Sequence, residues 1–185
     1  MAAQLLIIAG PPCSGKSTLG SLIECEHGIG RLQVDRVIST LIPESARVRS
    51  DRDIAYRGMH MMARELLGRG HTISLDATYG TQVHRQAIEA LVTDLAVPLF
   101  LIECHVSPDT AAARFNARRG HPALDLTEAR VRDLAGRYRF SNLGLAIAEA
   151  TAPAVALARV ESYLRAAKPL DVNGCWPAAS TGYVA

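Results

Sequence analysis

The sequence predicts a three-layer α/β/α fold, in which a parallel β-sheet lies between two layers of helices. Apolar runs of strand length alternate with segments of helical periodicity along the 185 residues, a pattern typical of parallel strands joined by crossover helices. The first strand leads through a glycine-rich loop directly into a helix. Asp35 and Asp76 each follow a later strand, at the edge where open sheets of this class bind ligands.

The glycine-rich loop has the spacing G-x-x-x-x-G-K-[ST] of a phosphate-binding loop. Its glycines allow successive backbone N–H groups to turn towards a polyphosphate. Lys16 would bring a compact positive charge to the β- and γ-phosphates, and the Ser17 hydroxyl is suited to bind Mg²⁺. We therefore expect ATP or GTP to bind at the loop residues Gly10, Pro11, Pro12, Cys13, Ser14, Gly15, Lys16, Ser17 and Thr18.

The segments on either side of this loop have the required character. Residues 4–9 are an apolar run of strand length. Residues 14–26 have helical spacing, with Leu19, Leu22 and Ile23 on one face. A helix that begins at the loop offers its unpaired N–H groups and its dipole to the same anion. The order strand, loop, helix is the context in which the motif binds phosphate.

One strand and two helices are predicted between the first helix and residue 70. A short apolar run gives a strand over residues 31–34, and helical spacing gives a short helix over residues 36–42, which a proline ends. Residues 43–50 are rich in polar residues and predict a surface loop. A longer helix is predicted over residues 51–69, with Asp51 as its candidate cap and a glycine after its end.

Two further strand and helix pairs follow. Residues 71–76 predict a third strand with an acidic residue at its carboxyl end, and residues 81–95 predict a helix. A strongly apolar fourth strand covers residues 97–104. The next helix covers residues 107–118 and stops at a segment that contains glycine and proline.

The last predicted elements complete a single domain. Residues 126–139 predict a helix, residues 145–148 a fifth strand, and residues 153–166 a helix that starts at a proline. No linker or internal repeat divides the chain. We therefore assign residues 1–167 to one domain and residues 168–185 to a C-terminal tail.

Composition excludes several classes of protein. A net charge of +2 is too near balance to indicate non-specific binding to nucleic acid or membranes, and no apolar run reaches 18 residues. The first apolar run has no basic segment before it, so we interpret it as a core strand and not as a signal peptide. The four cysteines form no C-x-x-C pair, which favours a cytoplasmic protein without zinc or disulfides. Cys13 is either a small loop side chain or a thiolate stabilised by the helix start.

Asp35 is the candidate general base. A carboxylate at the end of the second strand can orient an acceptor hydroxyl near a γ-phosphate and accept its proton. The alternative is an aspartate that caps the following helix. Its neighbour Arg36 either binds an anionic acceptor or is a solvated surface residue.

Asp76 is the candidate metal-binding carboxylate. It ends an apolar strand in the manner of a Walker B aspartate, which holds Mg²⁺ or its water ligands. The alternative is a turn aspartate. Thr78 and Arg85 follow closely enough in sequence to reach the same pocket, and we treat both as candidate substrate-binding residues.

Arginines are concentrated between residues 110 and 140, a segment that contains seven arginines and three acidic residues. Arg114 and Arg118 are one helical turn apart and share a face. Such a segment is expected to be a lid that brings arginines to the transferring phosphoryl group. The alternative is a solvated basic helix face, which is our interpretation of the other five arginines.

Taken together, these residues resemble the P-loop kinases typified by the kinase domain of polynucleotide kinase, with its zeta-toxin and chloramphenicol phosphotransferase relatives. The resemblance rests on residues 10–18, the Asp35-Arg36 pair, residues 56–78 and residues 114–119, and it covers about residues 4–165. It implies a five-stranded parallel sheet of order 2-3-1-4-5.

The resemblance also implies an activity, the ATP-dependent transfer of a γ-phosphate to a hydroxyl. It implies that Asp35 is the general base, that Lys16, Arg114 and Arg118 stabilise the phosphoryl group, and that Ser17 holds Mg²⁺. In polynucleotide kinases an arginine follows the acceptor-site aspartate after a few residues, whereas here Arg36 is adjacent and the next arginine is Arg47.

Three functions therefore stay open at this stage. The first is a kinase whose partners are ATP and the hydroxyl of a small molecule or nucleoside-like metabolite. The second is a polynucleotide or RNA 5′-hydroxyl kinase, and the third is a nucleotide-dependent regulatory module without catalysis. The guanine-recognition sequence Asn-Lys-x-Asp is absent, which makes a GTPase a less favoured form of such a regulatory module. The sequence does not identify the acceptor or the oligomeric state.

Overall fold

The computed structural model describes residues 3–117, 126–141, 143–171 and 176. The strands are β1 (Leu5–Ala9), β2 (Gly30–Gln33), β3 (Ile73–Asp76), β4 (Leu99–Cys104) and β5 (Leu145–Ile147). They form one parallel sheet in the order β2-β3-β1-β4-β5, which confirms the predicted fold class and strand order. Because β1 is central, the loop that follows it lies in the middle of the sheet's carboxyl edge.

Helices cover both faces of this sheet. Those within the described residues are α1 (Lys16–His27), α2 (Val34–Leu41), α3 (Arg49–Gly68), α4 (Gln82–Leu95), α5 (Pro108–Ala117), α6 (Glu128–Arg137) and α7 (Pro153–Ala166). The two largest core clusters contain residues of α2, α3 and α4 on one face and of α1 and α7 on the other. Helices α5 and α6 pack on each other around a smaller apolar cluster.

The central strand shows how the sequence forms both cores. Leu5, Ile7 and Ala9 belong to the core on the α2–α4 side, whereas Leu6 and Ile8 belong to the core on the α1–α7 side. Successive side chains of a strand point to opposite faces, so a strand covered on both sides is apolar throughout. All five residues are therefore fully buried.

Helix α2 begins earlier than the sequence predicts, and this changes the setting of Asp35. Val34, Val37 and Ile38 are buried at helical spacing, so the helix follows Gln33 of β2 without a connecting residue. Asp35 consequently lies in the first turn of α2 and not in a linker at the strand end. A carboxylate in a first helical turn is favoured by the helix dipole.

Helix α3 also begins before the predicted position, and its predicted cap is wrong. It starts at Arg49 after Val48, an extended residue that makes no side-chain capping bond. Asp51 lies inside the first turn, where its Oδ2 atom accepts a hydrogen bond of 2.6 Å from the Ser45 hydroxyl. The predicted surface loop is thus shorter than expected.

Two residues of the predicted tail contribute to the folded domain. The Leu170 amide donates a hydrogen bond of 2.8 Å to the Leu99 carbonyl at the start of β4. Trp176 is 2% exposed and lies in the core with Tyr79 and Leu75. In the ranges that the structure describes, no helix combines the length and apolarity needed to cross a membrane.

Candidate active site

A cavity of about 920 Å³ opens at the carboxyl edge of the sheet. Its walls come from the loop after β1, the first turn of α2, one face of α3, the segment after β3 and the turn after β5. Lys16, Asp35 and Asp76 all line it. The three groups that the sequence assigned to strand ends therefore face one common space, as expected for an open α/β sheet.

The loop after β1 requires glycine at two positions for different reasons. Gly10 has a φ of 146°, and a β-carbon there would lie 2.5 Å from the Cys104 carbonyl oxygen of the neighbouring strand. Gly15 has open space around it but a φ of 99°, which side chains rarely adopt. Cys13 also has a positive φ, of 61°. The loop is therefore a tight cradle that leaves room for a ligand.

Several donors of this cradle are suited to an anion. The Lys16 ammonium donates to the Pro11 carbonyl at 2.8 Å, which holds the side chain across the loop. The Ser14 hydroxyl is buried without a hydrogen-bond partner in the described residues. Helix α1 begins after Gly15 without a side-chain cap, so its first N–H groups stay available. An unpaired buried hydroxyl and uncapped N–H groups fit the phosphates of a nucleotide.

Ser17 and Asp76 offer the hard oxygen ligands that Mg²⁺ prefers. Asp76 is 2% exposed at the end of β3, and its Oδ2 atom lies 3.3 Å from Nη1 of Arg31. Burial raises the pKa of Asp76, while Lys16, a hydrogen bond with Ser17 and Arg31 act in the opposite direction. The pKa of Asp76 stays raised overall, so these three partners offset only part of the effect of burial, and a bound cation would favour the ionised carboxylate further.

The other contacts of this pair fix its position. The Ser17 hydroxyl accepts a hydrogen bond of 2.9 Å from the side-chain amide of Gln33, and the Ser17 carbonyl accepts one of 3.0 Å from Nη1 of Arg31. Arg31 therefore joins the start of α1 to Asp76. No group of three His, Cys, Asp or Glu side chains suited to a metal occurs in the described ranges. A Mg²⁺ ion would accordingly take its remaining ligands from water and phosphate.

Asp35 is oriented by an arginine that the sequence analysis did not single out. Its Oδ1 atom accepts a hydrogen bond of 3.0 Å from Nη1 of Arg47, whose side chain is 8% exposed. The Nη2 atom of Arg47 also donates to the Ser39 hydroxyl at 3.0 Å. The two contacts attach the loop between α2 and α3 to two successive turns of α2 and fix the position of the Asp35 carboxylate.

Arg114 lies on α5 and faces the same cavity. Its Nη1 atom donates to the Cys13 carbonyl at 3.2 Å, and its Nη2 atom donates to the Glu149 carbonyl in the turn after β5. Arg118, the second predicted lid arginine, is outside the described residues. The arginines on α6 (Arg130, Arg132 and Arg137) form ion pairs with acidic residues of α5 and α6.

The three remaining candidates have different positions. Thr78 lines the cavity, and its carbonyl accepts hydrogen bonds from the Gly10 amide at 3.4 Å and the Tyr138 hydroxyl at 2.9 Å. Arg36 is exposed on α2 and does not line the cavity. Arg85 does not line it either, because its side chain points into the core.

The position of Arg85 corrects its expected role in substrate binding. The residue is 1% exposed, and its Nε atom donates to the Tyr79 carbonyl at 2.7 Å. Its Nη2 atom donates to the Arg139 carbonyl at 2.9 Å, and the guanidinium carbon lies 5.1 Å from the centre of the Trp176 ring. These contacts direct its charge towards backbone carbonyls and an aromatic face, away from the cavity.

One face of α3 forms a wall of the cavity, and the sequence analysis did not single out its residues as candidates. The lining residues on this helix include Arg49, Arg52, Asp53, Tyr56, Arg57 and His60. Their spacing of three or four residues places them on one face. The spacing was visible in the sequence, but charged residues at helical spacing usually indicate a solvated surface.

Two aromatic residues complete this wall. The rings of Tyr56 and His84 stack with centres 3.6 Å apart, and Nε2 of His84 lies 3.2 Å from Oδ1 of Asp53. Burial raises the pKa of Tyr56 to about 12, and burial together with nearby His84 lowers the pKa of His60 to about 4. The side chains of Tyr56 and His60 are therefore neutral near pH 7.

A comparison with protein-family models matches residues 5–141 to AAA_33, a family described as an AAA domain. Among curated proteins, uncharacterised proteins of Mycobacterium tuberculosis and Mycobacterium bovis are 27% identical over 135 residues. The aligned part is 63% of this chain and 26% of each relative. This chain thus corresponds to about a quarter of the length of those proteins.

Solved structures with this fold act on different molecules. The sugar kinase of Janibacter sp. HTCC2649 has a TM-score of 0.68 at 15% identity, over 89% of this chain and 96% of that one. The APS kinase of Mycobacterium tuberculosis with AMPPNP and APS has a TM-score of 0.64 at 19% identity, over 89% and 98%. The Pnkp1/Rnl/Hen1 RNA repair complex has a TM-score of 0.60 at 18% identity, over 73% of this chain and 43% of that one. At these identities the likeness shows a P-loop kinase fold and leaves the acceptor open.

Proposed function

The chain belongs to the AAA_33 family, and on that premise we propose that it transfers the γ-phosphate of ATP to a hydroxyl of a small molecule or nucleoside-like metabolite. One observation carries the proposal. Asp35, Asp76 and residues of the phosphate-binding loop line a single cavity. A carboxylate that faces a γ-phosphate site is suited to accept the proton of an attacking hydroxyl.

In the proposed reaction the acceptor oxygen forms a bond to the γ-phosphorus. The bond from that phosphorus to the β–γ bridging oxygen breaks, and ADP leaves with its electron pair. The proton of the hydroxyl passes to a carboxylate oxygen of Asp35, which Arg47 keeps oriented.

Two cationic side chains would stabilise the charge of the phosphoryl group during this step. Lys16 is attached to the loop, and Arg114 lies against the loop carbonyl of Cys13. Ser17 and Asp76 would hold Mg²⁺, whose role when bound is to neutralise phosphate charge. In phosphoryl transfer, the protein contributes mainly by positioning the reacting groups and by stabilising their charge.

The experiment measures acceptor-dependent release of ADP from Mg²⁺ and ATP with a panel of hydroxyl compounds, including a 5′-hydroxyl oligonucleotide. We expect Asp35→Asn to lower kcat by a factor of about 10² to 10⁴. Its affinity for ATP should stay unchanged, because Asp35 contacts no residue of the loop in the hydrogen-bond network described above. Asp94→Asn, an exposed aspartate outside the cavity, is the matched control and should behave as wild type.

Each result separates the candidate functions. Transfer to the oligonucleotide alone would assign a 5′-kinase in place of a small-molecule kinase. Tight nucleotide binding without ADP release for any acceptor, in both wild type and Asp35→Asn, would contradict the proposal and indicate a regulatory module.

A further inference from the structure

The wall of the cavity formed by α3 carries an excess of positive charge. Three arginines on this face, Arg49, Arg52 and Arg57, line the cavity. The carboxylates beside them are Asp53 on the same face and Asp35 on α2. From Arg49 to Arg57 the helix rises by about 12 Å, so the three residues are distributed along this wall.

Both carboxylates already have partners. Asp35 is bound to Arg47, a residue outside the cavity lining, at 3.0 Å. Asp53 lies 3.2 Å from the His84 ring nitrogen. In the described ranges, neither Arg49 nor Arg57 forms an ion pair or hydrogen bond through its side chain. Burial lowers the pKa of His84, so His84 does not neutralise Asp53, and that carboxylate offsets part of the positive charge of the wall. The charges of Arg49 and Arg57 have no ion-pair partner in the described ranges and stay available to an anion.

Arg52 brings this charge close to the candidate base. Its Nε atom donates to the carbonyl of Arg47 at 3.1 Å, and the side chain of Arg47 is the one that holds Asp35. Arg52 and Asp35 also act in opposite directions on the pKa of Tyr56, so both lie near that hydroxyl. An acceptor whose hydroxyl is directed at Asp35 would consequently have its other polar groups within reach of arginines.

We infer that the acceptor is a small molecule that carries an anionic group, a phosphate or a carboxylate, and that Arg49, Arg52 and Arg57 bind this group. The inference rests on the proposed function, since it concerns the acceptor half of the same cavity. Guanidinium groups form paired, charge-assisted hydrogen bonds with phosphate and carboxylate oxygens. In a concave site such charges also raise the local concentration of an anion.

The dimensions of the site favour a small molecule over a nucleic acid. The cavity of about 920 Å³ contains both the nucleotide side and the acceptor side, and small-molecule sites are typically about 300 to 1,000 Å³. The whole chain has a net charge of only +2. A charge so near balance gives no support for the extended basic track that a polynucleotide backbone needs.

The test is a binding measurement by calorimetry on the protein saturated with AMP-PNP, so that the phosphate-binding loop cannot take up the probe. The probes are matched sets that differ only in charge: glycerol, glycerate and glycerol 3-phosphate, and glucose, gluconate and glucose 6-phosphate. We expect at least one anionic member to bind about 10- to 100-fold more tightly than its neutral partner. The preferred member of each set distinguishes phosphate from carboxylate.

The double variant Arg49→Gln/Arg57→Gln should lose this preference, whereas Arg64→Gln should keep it. Arg64 lies on the same helix outside the cavity, where it pairs with exposed Asp94, and is a charge-matched control. The melting temperature of each variant with AMP-PNP verifies that it is folded. Equal binding of neutral and anionic probes, or an anion preference that survives in the double variant, would overturn the inference.

The remaining outcomes separate this inference from the proposed function. Phosphoryl transfer to neutral hydroxyls with no preference for anions would overturn the inference and leave the kinase proposal intact. Anion binding that depends on the two arginines, without ADP release, would support the anion site and contradict the kinase proposal. Competition by a 5′-hydroxyl oligonucleotide but by no small anion would overturn the inference in favour of nucleic acid.

Discussion

Burial sets the protonation state of single residues beside the cavity. The Nε2 atom of His60 lies 3.2 Å from the Tyr79 hydroxyl, and the Tyr79 amide donates to the Tyr56 hydroxyl at 3.2 Å. Burial raises the pKa values of both tyrosines and lowers that of His60. A neutral network of this kind holds the α3 wall in place without adding charge to it.

The low pKa of His60 predicts a loss of stability in acid. The pKa of His60 is about 4 in the folded protein, against the ordinary value of 6.5 for a histidine in an unfolded chain, so only the unfolded chain binds this proton between these pH values. The free energy of unfolding should fall as pH decreases from 6.5 to 4, by about 3 kcal/mol at most from this residue. Urea denaturation followed by Trp176 fluorescence, at pH 7 and at pH 4, measures the difference.

His60→Gln removes the titrating group and keeps an amide that can bond to the Tyr79 hydroxyl. Its free energy of unfolding should therefore depend less on pH over this interval than that of wild type. His71→Gln, at an exposed position, should keep the wild-type dependence. An unchanged pH dependence in His60→Gln would show that another group accounts for it.

At single positions the sequence predicted the groups that belong to a local motif. Lys16 and Ser17 followed from the spacing of the loop, and Asp76 from the end of an apolar strand. Arg47 could not be found in this way, because it reaches Asp35 across a loop and from a backbone with a φ of 57°. The arginines of α3 were not identified as site residues for another reason. Charged residues that are solvated and charged residues that line a cavity have the same spacing in a sequence.

At the scale of elements, the ends of helices were less predictable than their existence. Helix α2 follows β2 directly because burial of Val34 outweighs the missing cap. The strand order was predicted, but side-chain contacts between helices and distant loops were not. Arg85 on α4 joins the segment after β3 to the segment after α6 through the carbonyls of Tyr79 and Arg139. Residues 54 positions apart meet only in the tertiary structure.

Arg85→Met should destabilise the protein by about 3 kcal/mol. The substitution preserves much of the side-chain volume but leaves the two carbonyls without this donor, and it removes the cation from the Trp176 ring. Chemical denaturation provides the measurement. The neighbouring exposed Gln86→Met is the control, with an expected change within about 0.5 kcal/mol. Equal stability of the two variants would contradict the structural role of Arg85.

For the whole molecule, the sequence predicted the layers, the parallel sheet and the edge of the sheet at which the cavity opens. Alternating patterns determine these features, because parallel strands require crossover helices. The packing of the C-terminal tail against the domain could not be predicted, because the residues after 167 have no hydrophobic periodicity that would assign them to a helix or strand face. Trp176 nevertheless lies in the core on the α2–α4 side, with its amide donating to Oε1 of Glu89 at 3.0 Å.

Trp176→Ala tests how strongly this residue holds the molecule together. We expect it to lower the free energy of unfolding by about 3 to 5 kcal/mol, since it removes a buried aromatic ring beside Tyr79 and Arg85. Differential scanning calorimetry measures the corresponding fall in Tm. Val155→Ala, at an exposed apolar position, should have little effect. A Tm near that of wild type in Trp176→Ala would exclude a structural role for this residue.

The two carbonyl contacts of Arg114 have a thermodynamic consequence for nucleotide capture. Because one guanidinium fastens the turn after β5 to the loop after β1, that half of the cleft is assembled when the chain folds. A nucleotide that binds there, as proposed above, would meet a preformed surface and lose little of its affinity to ordering the receptor. Association there should resemble lock-and-key docking, with a rate governed by diffusion and orientation.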